Sequence, residues 1–519
     1  MKPKLLWFCI FMVILSGSLF SETVNGYLEI YEEHKVLRVK GTIEERGYAQ
    51  GFLVGEDLRE LMTGYLLPML YGNNAYVYSQ ARSFFEANFE IEQKYINESQ
   101  AIINGMIDSG TDLYISLLNR EIDHVDLLMN SSIVDLIAVF SYLGNYVGAC
   151  SSLSSWGEST NDLPDVSGEQ IITRHLDWSN NAVLRSHQMI TVHFPAEAEQ
   201  QKWINIGITG FMGALSAINE SRLGAFYNVG SNHNYTIEEQ FQPILLALRN
   251  ALETLDYNED GDNNYQDIQA HLEESNFISG SIIHTAALMD DNSYPVVFEV
   301  NNMNGCSLRT AANNNLNPPV AGDHLAATNH FRTLYAPTYC YRYQGIADSL
   351  QVSTDITPER SWKLLSGAAG VTTNLQAMQY IPVTGELKWA TTLHQITPAH
   401  SKTPVVFDID YLLTYDENQS SGEQDTLVPE SSLSLCNYPN PFNPETNISF
   451  TLEKPSETEI RIFNIRGELV HNADLGNLPA GSHNFIWRVE PSGETSSGIY
   501  IVKLKTADRI NYHKMLLMK

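Results

Sequence analysis

The spacing of apolar residues divides the chain into blocks of different kind. Leu5 to Leu15 is an unbroken apolar run behind Lys2 and Lys4, and the small residues Ser16-Gly17-Ser18 follow it. That layout predicts a secretory signal peptide over residues 1–21, because a membrane span needs about 20 apolar residues. Leu28 to Gly41 reads as two strands around a turn. Asp57 to Leu70, Tyr78 to Tyr95 and Ile122 to Tyr142 carry helical apolar spacing. After Cys150 the texture changes to short strand-like runs, EQIITRHLDW, HQMITVHF, KWINIGIT, LGAFYNVG, SIIHTAALMD, YPVVFEVN and HLAATNHF, interrupted by a helix-like stretch from Gln240 to Leu255. This mixture predicts an α+β domain with much antiparallel sheet. A polar stretch holding Asp416, Glu417, Glu423, Asp425 and Glu430 without a base predicts a linker over 416–432. Beyond it, over 433–519, short alternating strands place Ile448, Phe450 and Leu452 on one face, and Tyr500, Val502 and Leu504 likewise, as in a small β-sandwich.

Composition sharpens this division. The chain has 519 residues, 43% of them apolar, enough for large cores. It carries 61 acidic and 31 basic residues, a net charge of −30. From Asn437 onward nine acids balance nine bases, so the whole excess precedes that point. So acidic a chain repels phosphate backbones, which argues against nucleic-acid binding. Five cysteines, Cys9, Cys150, Cys306, Cys340 and Cys436, are too few for a disulfide scaffold, and the absence of a CxxC pair argues against a cysteine-type zinc site. Beyond the leader no run is apolar for long enough to span a bilayer.

One loop has the spacing of a cation site. Asp256, Asn258, Asp260, Asp262, Asn264 and Asp267 supply oxygens, and Gly261 stands at the sixth position, where a sharp turn is needed. The final Asp, in place of Glu, resembles dockerin-type loops more than sensor EF-hands. The expectation is a structural calcium at 256–267, with no organic cofactor; the bland reading is a solvated acidic turn.

Cys150 stands in Val147-Gly148-Ala149-Cys150-Ser151-Ser152, and Arg174-His175-Leu176-Asp177-Trp178 follows on a strand-like run. Alone, such a cysteine reads as a small buried hydrophobe, and Arg174 with Asp177 as an ion pair. Together with Ala217-Ile218-Asn219-Glu220, Thr328-Asn329-His330-Phe331, Arg342 and the upstream Gly41 and Glu45-Arg46-Gly47-Tyr48-Ala49-Gln50-Gly51, however, the chain from about Val36 to Tyr415 resembles the N-terminal nucleophile hydrolases of the isopenicillin N acyltransferase family, relatives of acid ceramidase and choloylglycine hydrolase. The departures are His175 for the usual Asn, Arg222 where Gly is common, and Ser151 for Thr. The resemblance implies a four-layer αββα domain over 150–415, preceded by a propeptide-like segment over 22–149, and a cysteine exposed by self-cleavage. It implies a secreted hydrolase or acyltransferase acting on linear amide bonds of a small acyl-amide. The tail resembles the C-terminal sorting domain of type IX secretion substrates, through Tyr438-Pro439-Asn440-Pro441-Phe442-Asn443-Pro444, Phe463-Asn464, Gly467, Pro479-Ala480-Gly481, Gly498-Ile499-Tyr500 and Lys514-Met515-Leu516-Leu517. That implies an immunoglobulin-like module, contact with the type IX machinery, and a secreted or surface location in a Gram-negative bacterium.

The chemistry follows from the residue types. A thiol is little ionised at neutral pH, whereas the α-amine of a new N-terminal Cys150, with a reference pKa of about 7.7–8.0, can act as base beside its own sulfur. Arg174 would hold the thiolate, Asp177 would orient the amine or Arg174, and Asn219 and Asn329 are the side-chain candidates for oxyanion donors. Arg342 would tie the site together or meet an acidic substrate. Two other readings stand beside this one: an inactive surface-binding protein on the same fold, and an uncut Cys-His peptidase using His175, His284 or His330.

Overall fold

In the computed structural model the described residues are 24–140, 149–179, 181–230, 235–290, 292–313, 316–368, 374–393, 397–419, 436–438, 442–452, 454–464, 469–489, 496–506 and 510–517. The signal-peptide segment, most of the linker, residues 439–441 of the tail motif and Gly467 lie outside them. The chain divides into two compact units, Met1–Gly422 and Glu423–Lys519.

The first unit is built on two sheets. A nine-stranded sheet begins with the hairpin Gly26–Tyr31 and His34–Gly41, continues through Gln188–Pro195, Trp203–Ile208, Ser216–Asn219, Gly224–Val229 and Ser281–Ala286, and ends with Val297–Asn301 and Gly305–Arg309. A six-stranded sheet has the order His324–Ala327, Ala149–Ser155, Ile171–Asp177, Gln376–Ile381, Glu386–Thr391, Val405–Asp408. One apolar cluster joins Ile190, Ile204, Ile206 and Phe226 of the first sheet to Ile172, Met378, Tyr380 and Trp389 of the second. The outer face of the larger sheet carries helices Ile43–Leu61 and Ile244–Glu253, with Gln93–Asp108 packed on the former, and that of the smaller sheet carries Tyr341–Val352 and Pro358–Ala368. The α+β expectation is therefore met, with helices drawn from both sides of Cys150. Burial on both faces makes these strands almost continuously apolar, so they read as runs rather than as clean alternation.

The segment 22–149 is not a separate body. His34–Gly41 pairs in parallel with Gln188–Pro195, and helices from both sides of Cys150 share one core. Close helix approach explains two glycines of the upstream motif: a Cβ on Gly47 would lie 2.7 Å from the Glu98 carbonyl oxygen, and one on Gly51 would lie 1.9 Å from that of Ile102. Thr42 and Glu45 form the capping box that starts the first helix. The stretch expected as one helix over Tyr78 to Tyr95 is two, Ala75–Asn88 and Gln93–Asp108, and that over Ile122 to Tyr142 breaks at Ser132 into His124–Ser131 and Ile133–Val139. The helix continuing Ile43–Leu61 over Met62–Leu70 is of the wide π type and includes Pro68. Among the described residues no helix is long and apolar enough to cross a membrane.

The second unit packs a three-stranded and a four-stranded antiparallel sheet around Ile448, Phe450, Ile460, Ile462, Trp487, Tyr500 and Val502.

Candidate active site

Period-two alternation sets the site. Along Ile171–Asp177, Ile172 faces the other sheet, as does Arg174, which bonds there to Ser216. Thr173 and His175 face the helices, meeting Ser361 and Trp362. The neighbouring strand is in register, Cys150 opposite Leu176 and Ser152 opposite Arg174, so the Cys150 side chain points toward the nine-stranded sheet. It is 1% exposed.

On that side the Arg174 guanidinium lies 3.8 Å from the Cys150 sulfur. It is held by Ser216 Oγ at 2.9 Å and by the Tyr227 carbonyl. On the helix side Arg342 donates to the Cys150 carbonyl oxygen at 2.9 Å, contacts Asp177 at 3.6 Å, and donates to Asn329 Oδ1 at 2.6 Å. Asn329 follows the edge strand His324–Ala327, where Ala327 is paired with Ser152, so two residues further on it comes opposite Cys150. Its Oδ1 accepts the Cys150 N–H at 2.8 Å, and its Nδ2 donates to the Val229 carbonyl at 2.6 Å.

Burial pushes the Cys150 thiol above its ordinary range; Arg174 opposes this, Asp177 adds to it, and Arg342 and a backbone hydrogen bond from Val229 oppose it. Burial also pushes the Asp177 carboxyl up to about 7, against the pull of Arg342 and then Arg174.

Of the sequence candidates, Cys150, Arg174, Asp177, Asn329 and Arg342 come together. Asn219 does not. Its amide donates to the Leu252 carbonyl at 3.1 Å and to Asn263 at 2.6 Å, while its oxygen accepts Leu223 N–H at 3.0 Å, so it closes the turn between two strands. In that turn Arg222 has φ +67°, a left-handed conformation that explains why glycine suits the position, and its guanidinium bonds to Asp410. The sequence reading overlooked Asn228, a buried amide that donates to Ser152 Oγ at 3.3 Å, and Ser216, which braces Arg174. The signal for Asn228 was a lone amide inside the apolar strand Gly224–Val229.

Among the described residues none of the three candidate histidines bonds to the sulfur. His175 points to the helices and stacks on His400 with centroids 5.4 Å apart. His284 bonds to Ser152 Oγ at 2.8 Å, and burial holds its pKa down at about 3. His330 sits in the loop after Asn329, its pKa lowered by burial and by Arg332.

The 256–267 loop has part of a cation site's geometry. The Asp260 amide faces Asp256 Oδ1 at 3.0 Å and Asn258 Oδ1 at 3.1 Å, and Gly261 N–H meets Asp256 Oδ2 at 2.8 Å. Asp267, however, accepts Tyr257 N–H on one oxygen and Asn264 N–H on the other, and Asn264 caps the helix Tyr265–Glu274. Among the described residues no three His, Cys, Asp or Glu side chains group as a metal cage. The turn fits a cation; the closing ligand, spent on backbone amides, does not.

A curated relative, protein dcd1B of Dictyostelium discoideum, is 23% identical over 248 residues, covering 45% of this chain. The chain spans about half of that relative's own length, 46%. Among solved structures, a Caenorhabditis elegans N-acylethanolamine-hydrolyzing acid amidase ortholog matches with a TM-score of 0.33 and 12% identity, covering 45% of this chain and 93% of that one. A conjugated bile acid hydrolase mutant from Clostridium perfringens gives 0.32 and 12%, covering 51% and 95%. Overlaps of that extent carry no weight for the chemistry. Residues 437–519 match the secretion system C-terminal sorting domain, as the tail motifs imply, so the chain carries a type IX secretion sorting domain at its C-terminal end.

Proposed function

We propose that the first unit is a cysteine N-terminal nucleophile hydrolase or acyltransferase that cleaves linear amide bonds through an acyl-enzyme on Cys150. The observation that carries this reading is the convergence on Cys150: Asn329 Oδ1 on its N–H, Arg342 on its carbonyl, and Arg174 at its sulfur. A structural cysteine has no use for charged and amide groups on its own backbone and sulfur at once.

Self-cleavage comes first. The sulfur adds to the Ala149 carbonyl, the Cys150 nitrogen takes up a proton and leaves as the α-amine, and water then hydrolyses the thioester to the Ala149 carboxylate, freeing the thiol. That amine, beside Asn329 Oδ1, then takes the thiol proton. The thiolate that burial disfavours is stabilised by Arg174 and attacks the substrate carbonyl. For the developing oxyanion the Val229 main-chain N–H, which already faces the sulfur, is the assigned donor, and Asn329 Nδ2 joins it on releasing the Val229 carbonyl. Asp177 and Arg342 keep the nucleophile's backbone in place. Water or an amine then receives the acyl group. The sorting domain delivers this activity to the cell surface or beyond it.

The test is mass spectrometry of the purified chain together with turnover of N-acyl amides. A mature fragment starting at Cys150 is expected, with Cys150→Ala remaining one chain. Cleavage that persists in Cys150→Ala assigns the cut to a foreign protease. A structural calcium at 256–267 is a separate proposal, supported by the oxygen spacing and by the turn at Gly261.

A further inference from the structure

A buried carboxylate outside the convergent group organises the loop that carries Asn329. Glu299 belongs to Val297–Asn301 of the nine-stranded sheet and is 0% exposed. Its Oε1 accepts Arg332 N–H at 2.8 Å. Its Oε2 accepts Thr333 N–H at 2.8 Å, Thr333 Oγ1–H at 3.0 Å and Leu334 N–H at 3.0 Å. Three consecutive backbone amides thus turn onto one carboxylate. Arg309, on the adjacent strand, pairs with Glu299 at 3.0 Å and donates to the Ala326 carbonyl at 3.0 Å. Ala326 lies just before Thr328-Asn329, and Arg332 just after them, so one ion pair holds both sides of the loop. Arg332 in turn lies 4.0 Å over the Tyr343 ring, next to Arg342.

We infer that Glu299 is the positioning residue for Asn329: it fixes the 329–334 loop so that Asn329 Oδ1 meets the Cys150 N–H. A loop of polar backbone has no ladder of its own, and a charge accepting several amides is the strongest anchor available to it. An isosteric Gln cannot do this, because its NH₂ would face an N–H. The structural part of this inference stands on geometry alone; its consequence for turnover rests on the amide-hydrolase reading.

The experiment is hydrogen exchange on the full chain carrying Cys150→Ala, which keeps residue 150's amide and leaves the chain uncut. Adding Glu299→Gln is expected to speed exchange about tenfold or more, both in the peptide covering 329–334 and in the peptide covering 149–153, as loss of a charge-assisted bond implies. Faster exchange in the loop with no change at 149–153 overturns the inference, as does no change in either. Should Glu299→Gln fail to fold, Thr333→Val removes one bond to Oε2 and is expected to give a smaller rise in the same two peptides; a rise confined to the loop again overturns it. With Cys150 restored, Glu299→Gln is expected to lower kcat with KM held within about twofold, and to add nothing in the Asn329→Ala background. Full additivity there overturns the inference. A wild type that turns over no amide while the exchange coupling is present overturns the hydrolase reading and leaves the positioning role in place.

Discussion

The main-chain N–H of Cys150 donates to Asn329 Oδ1 at 2.8 Å, between residues 179 positions apart in sequence. The bond exists because the edge strand before Asn329 runs antiparallel to the Cys150 strand, with Ala327 opposite Ser152. It gives a nitrogen that becomes an amine after cleavage a ready acceptor.

Loss of Asn329 should act on the transition state. Asn329→Ala is expected to lower kcat by about 10²–10³ with little change in KM. Asn219→Ala should differ in kind, because Asn219 closes the turn at Leu223 and reaches Leu252 and Asn263. Its cost should appear in stability, about 1–3 kcal/mol for the buried groups left unpaired, with kcat nearly unchanged. Steady-state kinetics and denaturant unfolding of both variants check this; equal losses of kcat would return Asn219 to the site.

Arg174 opposes the burial that raises the Cys150 thiol. Arg174→Ala should therefore raise the thiol further, so that activity is lost at neutral pH and partly recovered as pH rises. A pH–rate profile of already cleaved protein measures it. A flat profile would remove Arg174 from thiolate stabilisation.

His175 is wholly buried, and burial, then His400 and Arg174, lower its pKa to about 3. Because the folded value lies below the unfolded one of about 6.5, protonation favours the unfolded chain. The stabilisation from neutral His175 is complete above pH 6.5 and declines as pH falls toward 3. His175→Asn should take up about one proton fewer on unfolding near pH 5, seen as a shallower fall of Tm with acidification. An unchanged slope would place the acid sensitivity on other histidines.

Calcium in excess should raise Tm, by about 2.7 kcal/mol of stability at a hundred times Kd. Chelator should reverse the rise, and Asp260→Ala should remove it. Equal melting curves with and without chelator would leave Asp267 as the capping-box partner of Asn264 at the start of the helix Tyr265–Glu274 and nothing more.

Much of this was legible from local pattern. The strand runs after Cys150, the alternating tail and the strand that carries Arg174 and Asp177 appear as expected, because a strand buried on one or both faces declares itself in its own residues. Helices Tyr341–Val352 and Pro358–Ala368 went unread, since their apolar residues are few and the sheet beneath them supplies the missing partner. The segment before Cys150, propeptide-like by resemblance, supplies two strands and a large part of the core. Only parallel pairing across about 150 residues reveals that, and no local pattern encodes it.

The same limit applied at the site. The resemblance of motifs in their order named Cys150, Arg174, Asp177, Asn219, Asn329 and Arg342, and the chemistry open to each is intrinsic to its side chain. Whether an amide reaches the sulfur or closes a turn is decided by strand register and by which face alternation assigns, and that separated Asn329 from Asn219. Asn228, Ser216 and Glu299 carry no motif. They acquire their places from the packing of one sheet against another and from buried polar groups that must find partners there, a constraint that exists only once the chain is folded.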